Sequence, residues 1–590
     1  MPAGDTEEKA SRLEGGLLLA ALGFYAIALP LCGAIFRPGY ALYDEEGLLD
    51  QIQGWREGHA LILRFGWASL YRGLDVALVA AGGPHLFLLR LPALIAVLAE
   101  AALLYLWLRD KLGERAAIWA ALADLVCTAT FARGASLLGS CLLPAMFLFC
   151  AVCCERLRRP WQAALWGLAV SLMLLDYEGW AGALLFLVPY AYWRWNAGSG
   201  RAGLSGLRPA GFLGLAAGAA VVLGLSPDIV SHVHGRGMLS TPDAGFFAQA
   251  WTNLRLLLSW TGDRMAISGA AMHPWPPPWI WPLVLLGAVA ALRRFPWLAL
   301  LLASGSLALG LVDTNYELHR LCLALLALGA CAGMGASLLW RRGAWGRALC
   351  LALLLYGSAD EIHAWTSMSA PKLELTYGTS VDLEQAALWL SRNEPPGGWD
   401  VISGLGPHND GAFRFLLDQD GVAKRGKTPV ALIYWDYRPG LRGLASSGRA
   451  VSIGTYHPLL LFMPGPADAL RLRRVGDSLA DLRWTQISQA LPAMVVQDAR
   501  WLQSPEHRDP WGRTVAWELW LFAGLLQRKV ELGGVRQMLS EPMVCGWAPD
   551  VLAKELQPGD PALALRFREK AEAIDPRRKL MALSERIARY

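Results

Sequence analysis

Residues 86 to 108 read LFLLRLPALIAVLAEAALLYLWL, and Arg109, Asp110 and Lys111 follow at once. About 20 apolar residues carry a helix across a bilayer, so this run, interrupted only by Arg90 and Glu100, reads as a membrane span with a charged end. The same template, carried outward along the chain, gives further spans at 16 to 36, 116 to 132, 135 to 154, 162 to 175, 179 to 193, 210 to 227, 279 to 292, 295 to 312, 318 to 340 and 345 to 359. The first is too long for a removed signal peptide and lacks a small-residue cleavage pattern after it, so it reads as a retained anchor. The expected fold is a polytopic α-helical membrane protein of about 11 transmembrane helices.

Composition divides the chain in two. Of its 590 residues 54% are apolar and 17% charged, against roughly 25% charged in soluble domains. Residues 1 to 360 hold 26 Lys+Arg and 23 Asp+Glu, whereas the last 230 hold 28 and 26. The first part reads as embedded in a membrane, the second as soluble. A net charge of +5 spread among so many acids excludes a nucleic-acid surface. Nine of the ten cysteines (Cys32, Cys127, Cys141, Cys150, Cys153, Cys154, Cys322, Cys331 and Cys350) lie in or beside apolar runs, and Cys545 is alone in the tail. Thiols in such runs behave as small hydrophobes, and no disulfide framework is implied. Cys150 and Cys153 have CxxC spacing without the second pair that a zinc site needs.

Orientation follows from the short loops, because Lys and Arg accumulate on the cytoplasmic side. With a cytoplasmic N-terminus, the inside loops carry Arg109, Lys111 and Arg115; Arg156, Arg158 and Arg159; Arg194, Arg201 and Arg208; Arg293 and Arg294; and Arg341, Arg342 and Arg347. The outside loops carry Asp44, Glu45, Glu46, Asp176, Glu178, Asp228, Asp243, Asp263, Asp313 and Glu317. An odd number of spans then places the tail outside the cell (inner) membrane.

Two outside segments are long. Residues 37 to 85 include LLDQIQGWREGHALILRFGWASLYRG, whose helical apolar spacing suits interfacial helices. Residues 228 to 278 contain HVHGRG, GDRM and HPWPPPW, a Gly, Pro and Trp mixture that reads as ordered loop at the headgroup level. Beyond them, residues 361 to 500 read as an α/β domain: WDVISGL, TPVALIYWDY and AVSIGTY resemble short strands, and VDLEQAALWLSRN a helix. Residues 501 to 590 read as a helical region.

The sharpest chemical feature is Tyr43-Asp44-Glu45-Glu46 just after the first span. Adjacent carboxylates near a low-dielectric interface raise each other's pKa, which suits one of them to general-base work on a hydroxyl; a solvated acidic helix is the plainer alternative. Other outside acids, Asp176 and Glu178 in LLDYEGW and Asp263 in TGDRM, keep company with Arg64, Arg72, His85, Arg90, Arg133, Arg264, His319 and Arg320. Basic residues at helix ends reach lipid phosphates, though each taken singly also fits interfacial snorkelling. Glu100 and Asp124 lie at one depth, about 14 Å from the cytoplasmic end, where helix–helix hydrogen bonding or a proton path would use them. His232 and His234 form an HxH pair near Asp228, without a third ligand at fixed spacing.

The constellation resembles the GT-C glycosyltransferases, and most closely bacterial relatives of protein O-mannosyltransferases and of the aminoarabinose transferase that modifies lipid A. The residues carrying the resemblance are YDEE at 43 to 46, FLLRLPALIAV at 87 to 97, LLSWTGDRM at 257 to 265, HPWPPPWIWPLVLLGAVAAL at 273 to 292 and YELHRLCLALLALGACAGMGASLL at 316 to 339. They lie within residues 1 to 360. The resemblance implies transfer of a sugar from a polyprenyl-phosphate donor to a hydroxyl of a lipid, glycan or protein acceptor outside the membrane, with inversion. It places the family's acidic motif on Asp44 and Glu45, with Asp44 as base and Glu45 orienting it or helping to hold a divalent metal ion, as in metal-dependent members. Arg64, Arg72, Arg264 or Arg320 would hold the lipid phosphate, with His85, Arg90, Asp176, Tyr177, Glu178, Asp263 and His319 around the substrate.

Two departures stand out. Many members have an acid shortly after the Arg that precedes the fourth span, where this chain follows Arg133 with Gly139 and Ser140. Many have a basic residue before the sixth span, where this chain has Asp176, Tyr177 and Glu178. The soluble tail would sit over the outer opening and help choose the acceptor. Two other function classes stay open: a transporter or flippase of lipid-linked sugars, using Glu100 and Asp124, and a non-catalytic envelope assembly protein that works through its tail.

Overall fold

The computed structural model describes residues 14–28, 44–59, 69–126, 142–176, 180–197, 206–225, 278–307, 322–367, 381–403, 407–422, 426–434, 450–453, 459–462, 553, 556–557 and 559–574. Two compact units emerge. The first comprises Met1–Leu48 and Trp55–Ser369; the second comprises Leu49–Gly54 and Ala370–Tyr590.

Within the first unit the helices are α1 (Glu14–Ala28), α2 (Asp44–Arg56, shared with the second unit), α3 (Ser69–Gly82), α4 (Leu86–Leu112), α5 (Glu114–Leu125), α6 (Leu142–Arg156), α7 (Pro160–Leu172), α8 (Trp180–Ala197), α9 (Leu207–Leu225), α10 (Trp281–Arg294), α11 (Trp297–Leu307), α12 (Cys322–Trp340) and α13 (Ala344–Ser367). Among the described residues, three stretches are long and apolar enough to cross a membrane: Leu86–Leu112, Leu207–Gly224 and Cys322–Trp340. A fourth exists if Trp281–Arg294 and Trp297–Ser306, which meet at a 117° bend, count as one span. The bend falls at Phe295-Pro296, where proline has no N–H to continue the helical ladder. Several helices outlast their apolar runs: α4 continues through Arg109 and Lys111 to Gly113, whose φ of +92° ends it, and α13 continues through Asp360 and Glu361.

The core of this unit is α12, of whose apolar window 94% is buried. Lipid tails are as apolar as leucine, so helices associate in a membrane by close packing of small residues rather than by hydrophobicity. The sequence CLALLALGACAGMGASLLW supplies those residues. A Cβ added at Gly335 would run into the Leu283 carbonyl oxygen of α10, one at Gly333 into the Ala116 carbonyl oxygen of α5, and one at Gly287 into the Cys331 carbonyl oxygen. Helices α7 and α9 pack in the same way, Gly167 against the Gly211 carbonyl oxygen and Gly214 against that of Ala164.

One end of the bundle carries the basic residues. There the Lys111 ammonium pairs with Glu155 at 2.7 Å, Tyr190 donates its hydroxyl proton to the same carboxylate, and Arg294 donates to the Leu112 carbonyl oxygen at 3.0 Å. Trp107 lies edge-on to Phe147, Phe186, Tyr190 and Phe295, and Lys111 sits over the Trp107 and Phe295 rings. Arg115 of α5 binds Glu14 of α1 at 2.7 Å.

The second unit contains a four-stranded sheet in the order β1-β2-β4-β3, from β1 (Trp399–Ser403), β2 (Thr428–Tyr434), β3 (Ala450–Ile453) and β4 (Leu459–Phe462). β1 and β2 run parallel in the register Val401↔Val430, so a crossover must join them, and helix α15 (Pro407–Gln419) supplies it. β4 is antiparallel to both β2 and β3. Helix α14 (Val381–Arg392) precedes the sheet and α16 (Pro561–Ile574) lies near the end of the chain. Trp399 is buried, and its ring N–H donates to the Leu390 carbonyl oxygen at 2.8 Å.

Candidate active site

Opposite the basic end, the first unit gathers a different set of side chains. Helix α3 has the sequence SLYRGLDVALVAAG, in which Tyr71, Arg72, Asp75 and Val79 recur at helical spacing and are buried. Tyr71 is fully buried and donates its hydroxyl proton to the Leu89 carbonyl oxygen at 2.7 Å, fastening α3 to the first turn of α4. Arg72 and Arg90 immediately follow the two bonded residues, so the bond holds both beside the seam of α3 and α4. Leu70 packs on Leu174, Leu175 and Val222. That contact carries the start of α3 to the short 3₁₀ turn Met173–Leu175, after which Asp176 stands buried.

Arg72 and Asp75 are three residues apart on one helix, the spacing at which side chains become neighbours. Arg72 is 8% exposed and Asp75 0%. Neither carboxylate oxygen of Asp75 has a hydrogen-bond partner among the described residues. Burial therefore pushes its pKa up to about 9, against a pull downward from the Arg72 guanidinium. A carboxyl that keeps its proton at neutral pH adds no negative charge beside the Arg72 guanidinium.

The sequence-expected residues fall out unevenly. Asp44 is the first residue of α2, with Glu45 and Glu46 in its first turn. Arg72 lies on α3, Arg90 in the first turn of α4 and Asp176 just after the 3₁₀ turn that Leu70 of α3 packs against, and His85 is exposed at the N-cap of α4. Arg64, Arg133, Tyr177, Glu178, Asp263, Arg264, His319 and Arg320 lie outside the described residues, as do Asp228, His232 and His234. Asp75 was not foreseen. Its signal was present in the sequence, an Arg-x-x-Asp spacing on an otherwise apolar helix face. Glu100 and Asp124, on the adjacent helices α4 and α5, are buried. For a divalent metal ion, no group of three His, Cys, Asp or Glu side chains is placed to hold one among the described residues.

Fold and site together define an α-helical membrane protein with buried ionisable groups at one end of its bundle and an α/β unit after it. The chain is similar in structure to ArnT from Cupriavidus metallidurans, with a TM-score of 0.48 and 13% identity to the apo form, over 76% of this chain and 98% of that one. The form bound to undecaprenyl phosphate gives a TM-score of 0.49 at 12% identity over the same shares. An oligosaccharyltransferase of Archaeoglobus fulgidus, in complex with Zn and sulfate, aligns over 86% of each chain with a TM-score of 0.36 and 11% identity. No family model and no curated protein matches the sequence.

Proposed function

We propose that the chain is a GT-C type glycosyltransferase that moves a sugar from a polyprenyl-phosphate donor to an acceptor hydroxyl on the extracytoplasmic side of the inner membrane. The observation that carries this reading is the buried Arg72–Asp75 face of α3, fastened to the first turn of α4 by the Tyr71–Leu89 hydrogen bond. The eleven spans, the cytoplasmic N-terminus and the extracytoplasmic tail belong to the same reading. They rest on the apolar runs and on the Lys and Arg of the short loops.

In physical terms the reaction needs little. The leaving group is a phosphomonoester, which departs without strong acid assistance when cations hold its charge. Asp44 takes the proton of the acceptor hydroxyl, whose oxygen attacks the anomeric carbon. The bond to the phosphate oxygen breaks on the opposite face, so the product is inverted. Arg72 and Arg90 hold the departing phosphate, and Glu45 orients Asp44.

The test is transfer from a panel of radiolabelled polyprenyl-phosphate sugars to membrane extract, with purified wild type beside Asp44→Asn. Label should move with wild type only, while both proteins bind the lipid; activity retained in the variant would remove Asp44 from the role of base. A second reading draws on Glu100 and Asp124, buried on neighbouring helices as a proton path would require. Movement of labelled lipid across a vesicle membrane without turnover would select that flippase instead.

A further inference from the structure

Four helices of the first unit have their termini side by side at the basic end of the bundle. Trp166 of α7 donates its ring N–H to the Cys150 carbonyl oxygen of α6 at 2.8 Å, and Trp195 of α8 donates to that of Cys154 at 3.0 Å. The two indole rings meet edge to face, their centroids 5.0 Å apart. Helix α9 joins them at its start: a Cβ added at Gly206 would come within 3.0 Å of the Pro160 ring, and one at Gly211 would strike the Trp195 ring. The end of α6, the start of α7, the end of α8 and the start of α9 therefore form one surface.

That surface carries arginine without acid. Arg156, Arg158, Arg159 and Arg194 are exposed and Arg208 is partly buried, its guanidinium over the Tyr192 ring at 5.7 Å from the centroid. No Asp or Glu occurs in residues 156–175 or 179–227. Glu155, next to Arg156, is taken by Lys111 and Tyr190. Among the described residues none of the five arginines pairs with a carboxylate, whereas Lys111 and Arg115 at the same end do. Beside the arginines stand Trp161, Tyr192 and Trp193, each about half exposed. Further along α7, Leu165, Leu168 and Leu172 continue the exposed face of Trp161 at helical spacing.

We propose that this surface is a binding site for an anionic glycerophospholipid of the surrounding bilayer, the arginines taking the headgroup phosphate and the leucine face of α7 an acyl chain. Guanidinium groups hold phosphate through parallel N–H donors. Tryptophan and tyrosine settle at the headgroup level of a bilayer, and the exposed leucine stripe leads from that level along α7. A free phosphate would use the arginines alone and leave the aromatic residues and the stripe without a part; a lipid uses all three. Loose basic segments attract anionic lipid diffusely. Here the indole hydrogen bonds and the Pro160–Gly206 contact hold in place the helix ends that bear the arginines. The site lies at the other end of the bundle from the Arg72–Asp75 face and does not depend on the reaction proposed for the chain.

The experiment titrates the full-length protein, purified in detergent, with dioleoyl phosphatidylglycerol or dioleoyl phosphatidylcholine and follows the first bound lipid by native mass spectrometry. Wild type should prefer phosphatidylglycerol. Each arginine at a membrane surface is worth roughly 5-fold in affinity for anionic lipid. The double variant Arg158→Gln/Arg194→Gln, one residue from each helix pair, should therefore weaken phosphatidylglycerol by up to about 30-fold and leave phosphatidylcholine unchanged. It should also flatten the fall in phosphatidylglycerol affinity with added NaCl. Arg341→Gln/Arg342→Gln removes the same charge from exposed residues between α12 and α13 and should match wild type. All four replaced side chains are exposed, so both variants keep the fold. Equal losses from the two double variants would overturn the site and leave only diffuse attraction to a basic end. Displacement of the lipid by inorganic phosphate, beyond that by chloride at equal ionic strength, would assign the arginines to free phosphate and overturn it too. So would equal affinity of wild type for the two lipids.

Discussion

The two ends of the helical bundle handle charge in opposite ways. At the basic end Lys111 and Glu155 pair at 2.7 Å, Tyr190 completes the carboxylate's bonds, Arg115 meets Glu14, and a ring cluster around Trp107 excludes water. At the other end Arg72 and Asp75 are buried on one helix face, and both oxygens of Asp75 lack a hydrogen bond among the described residues. A buried polar group left unsatisfied destabilises a fold, and a chain that builds fully matched pairs at one end has the means to build them at the other. The contrast is between charges paired within the scaffold and a buried carboxyl whose oxygens have no hydrogen-bond partner among the described residues.

The most severe test of that contrast exchanges the two ends. Under the proposed mechanism, Arg72→Gln should lower transfer by about 100- to 1,000-fold, the range for removing one donor that stabilises developing charge, whereas Lys111→Met should leave transfer near wild type. Parallel kcat measurements decide it; equal losses would erase the distinction. On stability the order reverses. Lys111→Met strands Glu155 among aromatic rings and should cost about 3 kcal/mol, the low end for breaking a buried pair because Glu155 keeps some solvent contact. Thermal melts in detergent would show it.

A third prediction concerns pH. The folded-state pKa of Asp75 lies at about 9, above the ordinary 3.8. From about 4 to about 9 the native state therefore holds a proton that the unfolded state has released. Its contribution to stability is fully present below about 4 and is lost as pH rises through about 9. Melting temperature should fall between pH 5 and pH 8.5 in wild type, and Asp75→Asn should flatten that fall. An unaltered slope in the variant would mean that Asp75 is already ionised in the fold. The smallest effect belongs to Glu14→Gln, which keeps a hydrogen bond to Arg115 and should destabilise by about 1 kcal/mol.

What the sequence revealed followed the physics of each segment. The run at 86 to 108 was legible because twenty-odd apolar residues admit little else, yet its helix goes on to Leu112, since hydropathy stops at a charge and backbone hydrogen bonding does not. For the same reason α13 runs to Ser367 past the last apolar residues. Runs at 279 to 292 and 295 to 312 looked like two spans, and a 117° bend at Phe295-Pro296 separates their helices. In the second unit WDVIS, TPVALIY and AVSI show strand composition and form strands, whereas β4, LLLF, was too short and uniform to show a period. Helix α15 was hidden by its opening PHNDG, a turn-like composition followed by the apolar face Phe413, Leu416 and Leu417. Of the residues proposed for the site, the α2 carboxylates and Arg72 stood out by residue type. Asp75 did not, because its significance lies in burial, which spacing alone does not report.

Helix α12 bears on how the protein is made. It occupies the middle of the bundle with almost no lipid contact, yet it is synthesised after α5 and α10, the helices that surround it. Its mean hydropathy of 2.0 is enough for it to enter the bilayer unaided, so insertion does not wait on partners. Assembly does: the earlier helices must leave a slot open until residues 322–340 emerge from the ribosome, and they close on it through glycine contacts that no larger residue could replace. A nascent chain halted before Cys322 should accordingly be cut readily by membrane proteases, and one halted after Ser367 should resist them.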